Sequence, residues 1–253
     1  MHLLANKTAI VTGASSGIGL ATAELFAKEG ASLVIAARRP EPLEEARKRV
    51  AALGASAIAV SADVSKAEDC AAICAAAVKE FGGIDVLVNN AGIVDRHVPA
   101  VRCDLDWWRE VCAIDQDSVF YMSREALPHM EKREWGSIVN VSSIGGEFGS
   151  SGIAYSAAKS AVLGITKNIA IQYAAKNIRC NAICPGPTPT GLNTPEAVAT
   201  FDKEFMTICN KHLDLSIPFT SAQEQANVIL FLACPMSSGV NGRSIIVDHG
   251  ITL

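Results

Sequence analysis

Two polar side chains four residues apart carry the clearest catalytic chemistry in the sequence. Tyr155 and Lys159 stand in the run Tyr-Ser-Ala-Ala-Lys, at the start of a stretch with helical periodicity. Residues four apart are neighbours on a helix surface, so the ammonium group can lie near the phenol. A free tyrosine titrates near about 10, and a neighbouring positive charge favours the phenolate. The pair therefore predicts a tyrosine that acts as a general acid or base.

The spacing Tyr-x-x-x-Lys is a weak signal when it stands alone. A surface tyrosine beside a solvated lysine has the same spacing, so the surrounding sequence decides the interpretation. Here Ser142 and Ser143 follow the preceding strand, and a glycine-rich turn stands near the start of the chain. Together these three features predict an active site.

The glycine-rich turn spans residues 12–19, Thr-Gly-Ala-Ser-Ser-Gly-Ile-Gly, between a first strand and a helix. Glycines let the backbone turn tightly and approach a pyrophosphate, whose charge is favoured by the N–H groups at a helix start. Close packing alone can produce such a turn, so the motif needs its context. The predicted cofactor-binding residues of the turn are Gly13, Ser15, Ser16, Gly17, Ile18 and Gly19.

The end of the second strand bears on which dinucleotide is bound. Enzymes that use NAD typically place an acidic residue there, for the ribose 2′-hydroxyl, whereas this chain has Ala37. Arg38 and Arg39 follow and can hold a 2′-phosphate through charge-assisted hydrogen bonds. We therefore expect a preference for NADP(H), with NAD(H) as the alternative. The same arginines could also be a solvated charge pair at a helix entry.

Polar residues follow the third and fourth strands as well. Ligands of open α/β sheets bind at the carboxyl ends of the strands. An aspartate there can accept a hydrogen bond from an adenine amino group, although the segment Asn-Asn-Ala-Gly at residues 89–92 is also typical of a simple turn. The predicted cofactor-binding residues at these ends are Asp63, Val64, Asn90, Ala91 and Gly92.

Short apolar runs alternate with longer helical segments along the whole chain. The runs lack polar alternation, as in strands buried on both faces. The predicted strands are residues 8–12, 32–37, 57–62, 84–89, 137–142, 178–184 and 244–248, and helical segments begin near Gly17, Glu41, Ala67, Asp104, Ala154, Pro195 and Ala222. This order predicts one α/β domain over residues 1–253, a doubly wound parallel sheet of seven strands with helices on both faces.

Composition narrows the expected partners. The 253 residues are 49% hydrophobic and carry a net charge of −4 without charged blocks, so neither nucleic acid nor a membrane surface is an expected partner. No apolar run approaches the roughly 20 residues of a membrane span, and the first residues lack a signal-peptide pattern, so we expect a cytoplasmic protein. The eight cysteines lack zinc-site spacing, which predicts buried thiols and no metal site.

Taken together, the motifs resemble those of the short-chain dehydrogenase/reductase family over nearly the whole chain. The resemblance implies a Rossmann sheet with strand order 3-2-1-4-5-6-7 and assembly as a homotetramer, or as a dimer. It also implies that Tyr155 is the general acid/base, that Lys159 lowers its pKa and holds the nicotinamide ribose, and that a serine hydrogen-bonds the substrate oxygen. Counting from Gly136 places that serine at Ser143, whereas counting back from Tyr155 gives Ser142; we predict Ser143.

One residue departs from the family pattern. Asp115 stands where the family has an asparagine that is thought to hold a water for proton transfer to the lysine. A carboxylate accepts hydrogen bonds but cannot donate the amide ones. Its charge also stabilises protonated Lys159 and offsets the effect of the lysine on Tyr155. We therefore expect Asp115 to act in the catalytic site and to alter the pH optimum.

The resemblance extends past the sixth strand. It implies cofactor contacts from Pro185, Gly186, Thr188, Thr190 and Ile183, and the following segment, about 186–218, is predicted to be a substrate loop. His249 replaces a family glycine and is expected to be an exposed residue of the C-terminal segment rather than a part of the site.

The expected reaction is the interconversion of a secondary alcohol and a ketone with NAD(P)(H). A hydroxysteroid or a bile acid is the expected substrate, because apolar residues are frequent in the segments near the predicted site, namely Ile93, Val94, Phe148, Leu192, Phe201, Phe205 and Met206. One alternative is a 3-oxoacyl-[acyl-carrier-protein] reductase, for which Arg96, Arg102 and Arg109 are candidate docking residues. A second is a non-catalytic dinucleotide-binding sensor.

Overall fold

A seven-stranded parallel sheet forms the centre of the protein, in a computed structural model that describes residues 2–93, 95–191 and 194–253. The strand order is β3-β2-β1-β4-β5-β6-β7, which confirms the predicted fold class and order. The strands are β1 Thr8–Thr12, β2 Ser32–Ala37, β3 Ala57–Ser61, β4 Val86–Asn89, β5 Gly136–Val141, β6 Ile178–Pro185 and β7 Ser244–Val247. Val94 and Leu192, two of the apolar residues expected near the substrate, lie outside the described residues.

Helices cover both faces of this sheet. They are α1 Gly17–Lys28, α2 Pro40–Ala52, α3 Ala67–Phe81, α4 Leu105–Cys112, α5 Ser118–Lys132, α6 Ile144–Phe148, α7 Ile153–Tyr173, α8 Pro195–Ala199, α9 Lys203–Asn210 and α10 Ala222–Ala233. One core joins α1, α2 and α10 to the sheet, and a second core joins α3, α5 and α7. Of the helices in the described ranges, none combines the length and the apolar character that a membrane span requires.

Burial on both faces explains the apolar strands. Every residue of β1, β4, β5 and β6 is buried, so a polar side chain there must find a partner inside the protein. Asn140 on β5 does so: its amide group donates to the hydroxyl of Thr166 on α7, over 2.9 Å, and its oxygen accepts from Asn89, over 2.8 Å. Because the strands are parallel, their carboxyl ends all lie along the same edge of the sheet.

The structure corrects several predicted boundaries. Strand β4 begins two residues later than expected, because the Asp85 carboxylate caps the neighbouring strand by accepting from Thr8 N over 2.9 Å. Helix α4 continues through a π-helical turn, Ala113–Asp117, into α5. The short helices α6 and α9 were not predicted from the sequence, since so few residues carry too little periodicity to be recognised.

Six of the eight cysteines are buried, and Cys103 and Cys112 are half-buried. Burial raises the pKa of Cys70, Cys74 and Cys180 to about 12. These thiols are therefore protonated at neutral pH and pack as small hydrophobic groups.

The contact between α6 and α7 depends on a residue without a side chain. A Cβ atom on Gly146 would lie 2.6 Å from the carbonyl carbon of Lys159 and 2.7 Å from its Cβ. Two carbon atoms that are not bonded to each other cannot approach so closely, so a side chain there would push the two helices apart. The backbone of Lys159 is thus held in place by close packing against α6.

We predict opposite stability effects for two glycine-to-alanine substitutions. Gly146→Ala should destabilise the protein by about 1–3 kcal/mol because it overpacks the α6–α7 contact. In Gly164→Ala, within α7, the new Cβ atom meets no described atom within 4 Å, and alanine favours the helix by about 0.5–1 kcal/mol. Thermal unfolding measures both, and a Gly146→Ala protein as stable as the wild type would contradict the packing argument.

Candidate active site

A cleft of about 450 Å³ opens at the carboxyl edge of the sheet. The structure brings all four predicted catalytic residues to its wall: Asp115, Ser143, Tyr155 and Lys159. Of the predicted cofactor-binding residues, those that line the cleft are Gly13, Ser15, Ser16, Gly17, Ile18, Arg38, Arg39, Asp63, Val64, Asn90, Ala91, Gly92, Tyr155, Lys159, Pro185, Gly186, Thr188 and Thr190.

Two predicted cofactor contacts lie elsewhere. Gly19 is buried behind the turn, where an added Cβ atom would lie 2.4 Å from the carbonyl oxygen of Gly13 and 2.5 Å from Asn90 Nδ2. It therefore allows α1 to pack against the turn and does not face the cleft. Ile183 is fully buried in the core between the sheet and the helices. The sequence pattern could not separate these roles, since a packing residue and a contact residue have the same spacing.

The turn between β1 and α1 fits a phosphate group. Gly13 and Gly17 have φ of 66° and 56°, a left-handed conformation that favours glycine. The side chain of Asn90 braces the turn by donating to the carbonyl oxygen of Thr12 over 2.9 Å. Among the described contacts, Ser16 does not cap the N-terminus of α1 with its side chain, so the first N–H groups of the helix remain available to an anion.

The two adjacent serines point to different partners. The hydroxyl of Ser142 is buried and donates to the carbonyl oxygen of Lys159 over 2.8 Å. The hydroxyl of Ser143 accepts from Gly145 N over 3.0 Å and lies close enough to the Tyr155 side chain to oppose the rise in the pKa of the phenol. Both serines line the cleft, but the Ser142 hydroxyl holds helix α7 against the end of β5, whereas the Ser143 hydroxyl lies near Tyr155.

A buried ion pair lies behind the tyrosine. Lys159 Nζ is 2.9 Å from Asp115 Oδ1, and both side chains are almost fully buried. The ammonium group also donates to the carbonyl oxygen of Val141 over 3.2 Å, while Asp115 Oδ2 accepts from Ile93 N over 3.4 Å. The ammonium group lies 5.5 Å from the centre of the Tyr155 ring.

The three ionisable groups shift one another's pKa. Burial raises the pKa of Asp115, and the positive charge of Lys159 opposes that shift. Burial alone lowers the pKa of Lys159, but Asp115, Tyr155 and Cys184 together more than offset it, so the pKa of the lysine lies above its usual value. Burial also raises the pKa of Tyr155; Lys159 lowers it in turn, and Asp115 raises it again. Asp115 thus keeps the lysine charged and weakens its effect on the phenol.

We predict that Asp115→Asn moves the pH profile of alcohol oxidation to lower pH. Oxidation needs the tyrosine as phenolate, so its rate rises as pH passes the pKa of Tyr155. Removing the carboxylate removes a charge that raises this pKa, so the rise should come earlier. The measurement is kcat/KM against pH, with Asp106→Asn on the exposed surface of α4 as the control. An unchanged profile, or one moved to higher pH, would show that Asp115 has no such role.

The far end of the cleft contains residues that sequence reasoning did not select. Two expected apolar residues, Ile93 and Phe201, line this end, whereas Phe148 and Phe205 line a neighbouring cavity of about 480 Å³ and Met206 lines neither. The cleft residues that were missed include Asp95, His97, Ser150, Ser151, Asn210 and Leu213. Except for Asn210, the last residue of α9, they stand in loops without a recognisable motif, and only the polar triplet 95–97 after the fourth strand offers a sequence signal.

His249 lies away from the cleft. Its ring nitrogens contact Glu224 Oε1 at 2.9 Å and the carbonyl oxygen of Pro218 at 3.0 Å, and 40% of its side chain is exposed. The residue is exposed, as expected, and it also ties the C-terminal segment to the start of α10.

Comparison with known proteins agrees with this geometry. A family model described as Enoyl-(Acyl carrier protein) reductase matches residues 13–252. The chain belongs to the short-chain dehydrogenase/reductase family. This short-chain dehydrogenase/reductase is therefore an oxidoreductase of a family that binds NAD(P)(H).

Its relatives act on different alcohols. It is 35% identical over 250 residues to 3beta-hydroxysteroid dehydrogenase 2 of Eggerthella lenta, covering 98% of this chain and 95% of that protein. It is 39% identical over 251 residues to cis-4-hydroxycyclohexanecarboxylate dehydrogenase of Sinomonas cyclohexanicum, covering 98% and 97%. The crystal structure of levodione reductase matches this short-chain dehydrogenase/reductase with a TM-score of 0.89 at 31% identity, over 98% of each chain.

Proposed function

We propose that the protein interconverts a secondary alcohol and a ketone in an NAD(P)(H)-dependent reaction, with Tyr155 as the acid/base. One observation carries this proposal: Ser143, Tyr155 and Lys159 line the same cleft wall, with the Lys159 ammonium 5.5 Å from the centre of the tyrosine ring. When bound, the dinucleotide supplies the hydride in reduction and takes it up in oxidation.

Each residue then has a defined task. In reduction the Tyr155 hydroxyl gives its proton to the carbonyl oxygen, and in oxidation the phenolate takes the proton from the alcohol. The hydroxyl of Ser143 donates a hydrogen bond to the same oxygen and stabilises the negative charge that develops there. The Lys159 ammonium stabilises the phenolate, and Asp115 holds the ammonium in place through the 2.9 Å contact.

We predict that Ser143→Ala and Ser142→Ala differ strongly in activity. Loss of a hydrogen-bond donor to the substrate oxygen should lower kcat about 10²- to 10³-fold in Ser143→Ala. Ser142→Ala should leave kcat nearly unchanged and lower the melting temperature, because it leaves the buried carbonyl of Lys159 without its donor. Steady-state kinetics and thermal unfolding test both variants, and the reverse ranking in kcat would assign the role to Ser142.

The proposed cofactor is NADP(H), with NAD(H) as the alternative. Arg38 and Arg39 are exposed at the cleft wall where β2 ends, beside half-buried Ala37. No acid stands at that strand end to bind a ribose 2′-hydroxyl, whereas two guanidinium groups suit a 2′-phosphate. Asp63 lies on the same wall, and we assign it to the adenine end of the cofactor.

We predict that replacing both Arg38 and Arg39 by alanine raises KM for NADPH about 10- to 100-fold. Each lost charge-assisted hydrogen bond costs roughly tenfold at an exposed site. KM for NADH should change little, because NADH has no 2′-phosphate. Arg49→Ala is the matched control, since Arg49 lies in α2 outside the cleft and pairs with Glu24. Equal increases for both cofactors would argue against NADP(H) preference.

The proposed substrate is a bulky alicyclic alcohol or ketone, with a hydroxysteroid or bile acid as the first candidate. Ile93, Phe201 and Leu213 give the far end of the cleft an apolar wall. Two relatives are named for a hydroxysteroid and for a hydroxycyclohexane carboxylate, both of which carry an alcohol on a saturated ring. We further propose that residues 186–218 form the substrate loop, since Phe201, Asn210 and Leu213 all belong to it.

The acyl-carrier-protein alternative receives less support from the surface charges. Such a partner is acidic and needs an uncompensated basic patch. Arg102 is bonded to Asp202 and Glu204, and Arg109 is bonded to Asp106. The guanidinium of Arg96 lies over the ring of Trp107 at 3.6 Å. Acidic partners thus offset two of the three candidate charges.

We also propose that the chain assembles as a homotetramer, or as a dimer. Large apolar side chains are exposed along α4 and α5, namely Leu105, Trp108 and Phe120. Exposed apolar residues on neighbouring helices are typical of a subunit interface. Light scattering of the purified protein measures the subunit number directly.

The experiment that tests the proposed reaction is initial-rate turnover with both cofactors on a panel of hydroxysteroids, cyclic and small ketones and 3-oxoacyl thioesters. Tyr155→Phe should lower the rate about 10²- to 10⁴-fold without loss of cofactor binding, because only the proton donor is removed. Tight cofactor binding with no turnover on any member, unaffected by this substitution, would instead favour the non-catalytic sensor.

A further inference from the structure

Asp95 and His97, which no catalytic step uses, line the cleft beyond the ion pair. Asp95 is buried, and its Oδ2 accepts from Gly152 N over 2.7 Å while its Oδ1 accepts from His97 N over 3.0 Å. His97 Nδ1 faces Asp95 Oδ2 at 3.4 Å. This contact lacks hydrogen-bond geometry, so the buried Nδ1 atom has no hydrogen-bond partner in the described part of the chain.

The backbone of His97 is strained in a way that fixes the ring. Its φ is 50°, a left-handed conformation that side-chain-bearing residues rarely adopt. Such conformations persist only where surrounding contacts enforce them, and they cluster at ligand sites. The loop that contains Gly152 packs tightly against the loop of residues 95–98. A Cβ atom on Gly152 would lie 2.5 Å from Asp95 Oδ1 and 2.7 Å from Val98 N.

A second polar atom nearby lacks a partner. The hydroxyl of Ser150 is buried and forms no hydrogen bond within the described part of the chain. Ser150 lines both the cleft and the neighbouring cavity, two residues before Gly152. The ring of Phe201, which also lines the cleft, lies 5.3 Å from the ring of His97. An unpaired buried hydroxyl is unfavourable, and a ligand that bonds to it removes that cost.

We propose that His97 and Ser150 form a polar subsite that binds a second hydroxyl group of the substrate, remote from the oxygen that Tyr155 serves. The inference rests on the proposed alcohol–ketone reaction and adds a specificity determinant to it. His97 Nδ1 and the Ser150 hydroxyl are both buried without a hydrogen-bond partner among the described residues, and together they suit a group that both donates and accepts. The carboxylate of Asp95 disfavours an anionic group at this place. Asp95 is a positioning residue.

The test compares ketones that differ only in a second hydroxyl group. We choose cyclohexanone with 4-hydroxycyclohexanone, and a 3-keto steroid with and without a hydroxyl group at C17. Calorimetry on the enzyme saturated with oxidised cofactor gives the affinity for each ketone without requiring turnover. Steady-state kcat and KM are measured in parallel where turnover occurs.

In at least one pair the hydroxylated ketone should bind more tightly to the wild type. His97→Asn, which tolerates the left-handed backbone, and Ser150→Ala should each reduce this preference about 3- to 10-fold, through KM and not kcat. The ketones without the second hydroxyl should bind equally to all proteins. His129→Asn, outside both cavities, is the control.

Two outcomes overturn the subsite. The first is equal affinity for both members of each pair in the wild type, including no binding of either. The second is a loss of affinity in the variants that is the same with and without the second hydroxyl, which would mean that His97 and Ser150 only support the loops. Neither outcome affects the Tyr155→Phe comparison, so the subsite and the proposed reaction can fail separately.

Discussion

Two opposite charges, those of Lys159 and Asp115, lie 2.9 Å apart where the structure excludes water. Removing both from solvent is costly, and only close geometry and further hydrogen bonds offset that cost. Val141 at the end of β5 and Ile93 after β4 provide those bonds. The pair therefore joins α7, the turn that bears Asp115, the end of β5 and the segment after β4. Any displacement of α7 would leave a buried charge without its partner. Tyr155, one turn earlier on α7, is positioned by the same constraint.

The carboxylate reaches the lysine because the helix that bears it is not a regular α-helix. Asp115 lies in the π-helical turn between α4 and α5. One extra residue per turn changes the direction in which the following side chains point, and such turns are frequent at functional sites. Space for the carboxylate comes from Gly92, where a Cβ atom would lie 2.6 Å from Asp115 Oδ1. A glycine assigned to the cofactor site from its sequence context thus also makes room for the ion pair.

The proposed substrate end of the cleft has a different construction from the proposed cofactor end. The cofactor end is formed by strand ends and the first helix, which the sheet holds rigidly. The substrate end depends on contacts between loops: Arg102 is bonded to Asp202 and Glu204, and Asp202 N donates to the carbonyl oxygen of Arg96 over 2.9 Å. Function varies on a shared fold through such loops. This explains why the relatives share the scaffold while their names refer to different alcohols.

The sequence by itself determined the strands and the chemistry at their ends. Apolar runs that are buried on both faces have few alternatives to a parallel sheet, and Tyr155 and Lys159 meet because four residues span one helical turn. Only the tertiary structure decided that Ser142 bonds to the backbone of α7 while Ser143 lies near the tyrosine, that Gly19 and Ile183 pack away from the cleft, and that His97 and Ser150 both line it. Those facts depend on contacts between residues far apart in the chain, whose geometry no local spacing encodes.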